Sequence, residues 1–308
     1  MFGGDTAIRG PSVELLAADP SSVFGPIDDL LAGADLALLN LETSRCFTGR
    51  RAEDKKFARP APRSSMRCGP PGVDGVSMAN NHGVDFGADG LDQSLEAIES
   101  DGFPVVGIGA DETAAYAPHL FEVDGQRIAV LGTTEVIDSE LVDSWTATDE
   151  RPGLASAKRV DRLVEAVEAA RAQADTVVVL IHWGKQYVSC PTDTQLELAE
   201  VLTEAGAATS SSAGRFNTGG RRRHHGSAPV SYGLGNFLFS SSTPAASHSG
   251  LLEVTVTGRR IDDYRWIPAL VNDDSQPIPV PEDDNLYHGL MQEWEALRSC
   301  TDLTAEPG

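Results

Sequence analysis

Four hydrophobic segments of this chain run into side chains that can bind a cation or move a proton. Gly4-Asp5 follows the opening residues, and Asn40-Leu41-Glu42 follows ADLALL. Asn80-Asn81-His82 comes after VDGVSM, and His182-Trp183-Gly184 closes VVVLI. A continuous apolar run ended by a polar switch reads as a buried strand. Open α/β sheets gather their ligands where strands end. One such ending is ordinary; four in one chain suggest a shared site.

Asp, Glu, Asn and His form a hard-to-borderline donor set that suits Zn, Mn or Fe(II), and no thiolate set accompanies it. Two divalent ions about 3.5–4 Å apart need a carboxylate that bridges them, with His and Asn completing each shell. Glu42 is the bridging candidate, because a carboxylate just past a buried strand is costly unless paired. His82 is the candidate proton donor to a leaving group. Taken alone, Asp5 reads as a turn or cap residue, and Arg9 reads as a surface arginine as readily as an anion contact. The residues by themselves leave the metal site and a set of ordinary loop polars equally open.

The elements that must position these groups follow from periodicity. Residues 12–34 read as helical and 34–40 as a strand. Residues 72–102 read as strand, polar loop and helix, with Leu91, Leu95 and Ile98 at helical spacing and Gly102 as C-cap. Residues 103–108 form a further strand, and 121–134 a hairpin turning at Asp124-Gly125. An amphipathic helix over 151–175 leads into the strand of His182, and another helix covers 192–206. Residues 230–241 form a strand interrupted by Gly233 and Gly235. A second hairpin over 251–271 turns at Gly258, and the tail carries one short helix over 287–298. Paired Gly3-Gly4 predicts a tight turn bringing Asp5 to a ligand. Strands alternate with helices up to residue 206, and no internal repeat or long linker is visible. One α/β domain with mixed sheets is the simplest reading.

The chain has 308 residues, 41% hydrophobic and 23% charged, as expected of a globular protein. No run approaches the roughly 18 apolar residues of a membrane span. The net charge of −22 argues against nucleic acid or an anionic membrane as main partner. Arg221-Arg222-Arg223 is too short to overturn this.

The motifs GGDTAIRG, LNLETS, MANNHGVDFG, IHWGKQY and SYGLGNFLF occur in that order. Together they resemble the CapA family of capsule (poly-γ-glutamate) synthesis proteins, which is similar to the calcineurin-like metallophosphatases. The resemblance spans about residues 1–270. It implies a four-layer α/β fold, two packed mixed sheets flanked by helices, over a domain 1–271 with a tail 272–308. It implies two divalent metal ions held by Asp5, Glu42, Asn81 and His182, with His82 as acid or anion-binding group. Arg9, Asn40 and Asn236 are the expected substrate contacts, Asn236 at the rim. The implied role is making, anchoring or releasing an anionic polymer at the cell envelope, as a metal-dependent hydrolase of that polymer or of a phosphoester. The alternative is a non-catalytic protein that binds the polymer or a membrane-bound capsule synthase. The implied location is the envelope or outside the cell, with a signal or anchor upstream of this chain; a cytoplasmic phosphoesterase is the weaker alternative.

Two segments depart from the family pattern. Between Gly206 and Tyr232 the pattern expects an apolar strand and then GxHxH; the chain reads GAATSSSAGRFNTGGRRRHHGSAPV. His224 and His225 are adjacent, so in a strand they would point to opposite faces. Against the family pattern, the resemblance implies that this segment lacks a core strand and two ligands. A local shift of reading frame turns both this segment (208–228) and Ser65 to Pro71 into family-like sequence, and resequencing the gene tests that explanation. Of the four cysteines, Cys46, Cys68, Cys190 and Cys300, the spacing fits no zinc ribbon or redox pair. Free buried thiols are the ordinary reading. A Cys190–Cys300 disulfide tying the tail to the core is the alternative, and it requires an oxidising compartment.

Overall fold

The computed structural model describes residues 1–43, 72–185, 188–211, 217–222, 229–240, 243, 246–301 and 303–304. Cys46, Cys68, the segment 65–71 and the His224-His225 pair lie outside the described residues. In chain order the strands of the first half are β1 (Phe2–Thr6), β2 (Leu38–Leu41), β3 (Gly75–Ser77), β4 (Val105–Val106), β5 (Ile108–Gly109), β6 (His119–Val123), β7 (Gln126–Thr134) and β8 (Gly153–Leu154). Those of the second half are β9 (Thr176–His182), β10 (Ala208–Ser211), β11 (Asn217–Arg222), β12 (Pro229–Gly233), β13 (His248–Thr257), β14 (Arg260–Val271), β15 (Pro277–Pro279) and β16 (Leu303–Thr304). The helices are α1 (Pro11–Ala18), α2 (Asp28–Ala32), α3 (Gly87–Asp101), α4 (Glu112–Ala115), α5 (Val142–Trp145), α6 (Val160–Arg171), α7 (Asp193–Glu204) and α8 (Asn285–Leu297).

Among the described residues fourteen of the strands make two mixed seven-stranded sheets, and β5 and β8 form a separate pair. The orders of the two large sheets are β15-β14-β13-β1-β2-β3-β4 and β16-β11-β12-β10-β9-β7-β6. Strand β9 shows why they stack. Every residue of it is buried. Val178 and Leu180 pack with Leu38 and Val106 of the other sheet and with Ile128 and Val130. Val177, Val179 and Ile181, pointing the opposite way, pack on Leu163, Val167 and Ala170 of α6 and on Leu198 and Leu202 of α7. The first sheet is covered likewise: Leu39, Leu41, Val76 and Met78 pack with Leu16, Phe24, Leu31 and Leu91. The result is four layers, helix, sheet, sheet, helix. Each fully buried aliphatic side chain contributes roughly 1.5–3 kcal/mol.

The hairpins turn where expected, at Asp124-Gly125 and Gly258, all three with positive φ. Three expectations are corrected. The helix over 12–34 is broken, because Pro20 and Gly25-Pro26 start two separate 3-10 turns between α1 and α2. The helix over 151–175 shrinks to α6, because Gly153-Leu154 pairs with β5 instead. The strand over 103–108 divides into β4 and β5 at Gly107, whose φ is +87°.

The strand that this segment is expected to lack is present. β10 lies parallel to β9 in the register Ala208↔Val178 to Ser211↔Ile181, and Thr209 pairs with Val230 of β12. A ladder between two neighbours is made by backbone groups, which Ala, Thr and Ser supply as well as Val does.

At the C-terminal end, β15 joins the first sheet and β16 the second. Cys190 and Cys300 form a disulfide across 110 residues of sequence with Cα atoms 5.7 Å apart. It ties the turn after α8 to the segment that follows β9.

Candidate functional site

The parallel strands β1, β2 and β3 of one sheet and β9 of the other end on the same edge of the sandwich. Asp5 pairs in register with Asn40, and Glu42 N donates to Thr6 O at 2.8 Å. His182 is the last residue of β9, paired with Thr134 of β7. Gly3 and Gly4 lie inside β1 rather than in a turn, correcting that expectation. Their purpose is close approach: a Cβ on Gly4 would sit 1.9 Å from Gly235 O. That contact lets Asp5 N reach Gly235 O and Phe237 N reach Asp5 O, both at 2.8 Å, locking the Asp5 backbone to the SYGLGNF segment.

Asp5, Glu42 and His182 are brought together. One ligand atom from each lies within 4.8 Å of the others, and all three residues are buried, at 6%, 4% and 5% exposure. His182 Nδ1 is 3.7 Å from Asp5 Oδ1, and His182 Nε2 is 3.5 Å from Glu42 Oε1. Two carboxylates withdrawn from water beside one imidazole are costly without positive charge between them. The donor set, hard oxygens with one imidazole, could hold a divalent metal ion.

Two asparagines brace this cluster. Asn40 Nδ2 donates to Asp5 Oδ1 at 2.9 Å and lies 3.2 Å from His182 Nδ1. Asn80 Nδ2 donates to Asn40 Oδ1 at 3.0 Å and to Leu41 O at 2.9 Å, while Asn80 Oδ1 accepts from His82 N at 2.9 Å. Asn81 sits half-buried in the same turn. His82 is buried, with Nδ1 2.8 Å from Asp85 Oδ2, and Asp85 is fully buried. The contact leaves His82 Nε2 as the nitrogen that can serve a substrate.

Asn236 forms an isolated bridge with Asp5, and its Nδ2 donates to Ala246 O at 2.9 Å. Arg9 lies in the loop after β1, its guanidinium 4.8 Å from the centre of the Phe239 ring. Sequence reasoning missed Asp85 as a partner of the site, and it placed Asn80 in a strand-end cluster without giving it a role. The only signal for Asp85 is its position three residues after His82; Asn80 stands beside the residue chosen as a ligand.

A family model described as bacterial capsule synthesis protein PGA_cap matches residues 1–241. The PGA biosynthesis protein CapA of Bacillus subtilis (strain 168) is 29% identical over 226 residues, 71% of this chain and 56% of the relative. The capsule biosynthesis protein CapA of Bacillus anthracis is 28% identical over 230 residues, 71% of this chain and 53% of the relative. A probable polyglutamine synthesis accessory protein of Mycobacterium tuberculosis (strain CDC 1551 / Oshkosh) is 31% identical over 183 residues, 56% of this chain and 47% of the relative. The chain thus spans about half the length of the curated relatives it matches. Among solved structures, a hypothetical protein from Thermus thermophilus superposes with a TM-score of 0.50 at 18% identity, covering 87% of this chain and 97% of that one. This likeness concerns the fold alone.

Proposed function

The chain belongs to the bacterial capsule synthesis protein PGA_cap family, and from that premise we propose that it is a divalent-metal-dependent hydrolase acting on an anionic polymer of the cell envelope. The observation that carries this reading is the buried Asp5–Glu42–His182 cluster. A bound divalent ion would supply Lewis acidity and a nucleophilic water at neutral pH. Asp5, Glu42 and His182 would hold it, with Asn81 completing the shell, and Glu42 would bridge to a second ion. His82, oriented by Asp85, gives its proton to the leaving group through Nε2. Arg9 and Asn236 flank the β1 end of the site and contact the substrate. The substrate is poly-γ-glutamate or a phosphoester, and the natural partners are the membrane proteins of the capsule synthase. At −22 the protein repels a polyanion, so cations in the site also serve to admit it.

Among the described residues no helix is long and apolar enough to cross a membrane. The Cys190–Cys300 disulfide favours an oxidising location, outside the cytoplasm.

One observation favours a second reading. The segment from Gly206 to Tyr232 contains no HxH, which on the family pattern removes two ligands. A member short of ligands would bind and organise the polymer without cutting it. Elemental analysis of the purified protein, a metal titration, and hydrolysis assays on a phosphodiester and a γ-glutamyl oligomer separate the two. Two tight sites with turnover support the hydrolase. Polymer binding that survives Asp5→Ala and His182→Ala, with no turnover, replaces it with the scaffold reading.

A further inference from the structure

The amide groups of Asn80 and Asn40 form a relay whose direction is set by the main chain. Leu41 C=O can only accept, and the His82 N–H can only donate. Asn80 therefore turns its Nδ2 toward Leu41 O (2.9 Å) and its Oδ1 toward His82 N (2.9 Å). Its second N–H then faces Asn40 Oδ1 at 3.0 Å. Asn40 is held the same way round from its other side, because Asp5 Oδ1 accepts from Asn40 Nδ2 at 2.9 Å. A flipped Asn40 would set oxygen against carboxylate and NH2 against NH2. The remaining N–H of Asn40 points at His182 Nδ1, 3.2 Å away. A ring nitrogen that faces a donor must present its lone pair. With Asn40 2% and Asn80 0% exposed, water offers little competition for these contacts.

We propose that Asn80 and Asn40 are positioning residues that fix the tautomer of His182, keeping Nδ1 unprotonated beside Asp5 and the ring proton on Nε2, toward Glu42. The ring then holds a lone pair on the Asp5 side, where Oδ1 is 3.7 Å away, before any cation arrives. His182 would then give up one N–H contact from Asn40, and no proton, in order to hold a cation there. The tautomer assignment stands on hydrogen-bond directions alone; its use in cation binding rests on the metal-site reading above.

The test is a two-bond 1H–15N correlation spectrum of chelator-treated protein labelled with 15N-histidine, recorded with the imidazole neutral. His182 is assigned by the signals lost in His182→Gln. The expected spectrum has His182 Nδ1 in the unprotonated range and the proton on Nε2. Asn40→Asp places an acceptor where the donor was, and moves the proton to Nδ1. Wild-type protein with its proton on Nδ1 overturns the proposal. So does an Asn40→Asp protein with a native melting curve and an unchanged His182 pattern. If Asn40→Asp does not fold, the wild-type spectrum alone decides. A zinc titration by calorimetry runs alongside. The expected tautomer without zinc binding leaves the relay standing and removes the metal reading; tight zinc binding with the opposite tautomer does the reverse.

Discussion

Two parts of the sandwich are built on opposite terms. At the ends of β1, β2 and β9, position depends on particular side chains: Asp5, Asn40, Glu42 and His182 are all buried and joined through polar atoms. In β10 position depends on the ladder. Ala208–Ser211 has none of the β-branched apolar residues of β9, yet pairs with β9 residue for residue. In the first region chemistry dictates residue type, and the backbone serves it. In the second the backbone dictates the fold, and residue type is nearly free. Substitution should therefore act through the side chain at one place and through the main chain at the other.

The largest expected effect is at the side-chain end. On the metal-site reading, Asp5→Ala or His182→Ala removes a ligand, and metal affinity should fall by more than the about 10–100-fold typical of losing an outer partner. Calorimetric titration measures it. Affinity within a factor of about 3 of the parent's would mean that the cluster does not hold the ion.

At the main-chain end, Ser210→Pro deletes an amide hydrogen from a strand with neighbours on both sides. It should cost about 3 kcal/mol, whereas Ser210→Ala should cost under about 1 kcal/mol. Chemical denaturation checks the pair. Equal losses for Pro and Ala would show that the hydroxyl, not the ladder, holds β10, and the contrast between the two regions would fail.

The same contrast explains what could be read without a structure. The four strand-end clusters were legible because apolar runs and polar switches leave a mark in residue type, and the sandwich brings three of their groups within 4.8 Å. The α/β class with mixed sheets was legible because β9 is apolar on both faces and α3, α6 and α7 carry one apolar face each, whereas the four-layer arrangement was expected only from the family resemblance. β10 was illegible because backbone pairing leaves no mark in composition. Gly3-Gly4 was misread because glycine serves both a turn and a close approach, and only the position of Gly235 decides between them. Asp85 was overlooked, and Asn80 was seen but left without a role, because their work is to orient a neighbour, and no motif of donor types reveals orientation.

Asp85 offers a sharper test on the side-chain side. Its carboxylate touches His82 and, on the hydrolase reading, acts through it. Asp85→Asn preserves shape and weakens the hold on His82 Nδ1. Turnover should fall about 10–100-fold, less than the about 100–10,000-fold that a positioned acid supplies in full, while KM and metal affinity stay near the parent values. A change in KM alone would place Asp85 in substrate binding instead.

The smallest expected effect comes from a carboxylate outside both regions, and it serves as a control on what burial does without an answering charge. Asp28, in the first turn of α2, is half-buried, and its Oδ1 has no hydrogen-bond partner among the described residues. Desolvation, with the nearby charges of Asp29 and Asp19, raises its pKa from 3.8 to about 6. A raised carboxylate favours the protonated form in the folded state. Its favourable contribution is complete below pH 3.8 and is lost as pH climbs through about 6. The shift corresponds to about 3 kcal/mol at 1.4 kcal/mol per unit, and solvent screening at a half-exposed site reduces it to about 1 kcal/mol. Asp28→Asn should therefore stabilise the protein by about 1 kcal/mol at pH 7 and by almost nothing at pH 3.5. Melting curves at the two pH values decide it. A gain equal at both would trace the effect to helix propensity or packing, and Asp28 would cease to be a measure of what an unanswered buried carboxylate costs in this fold.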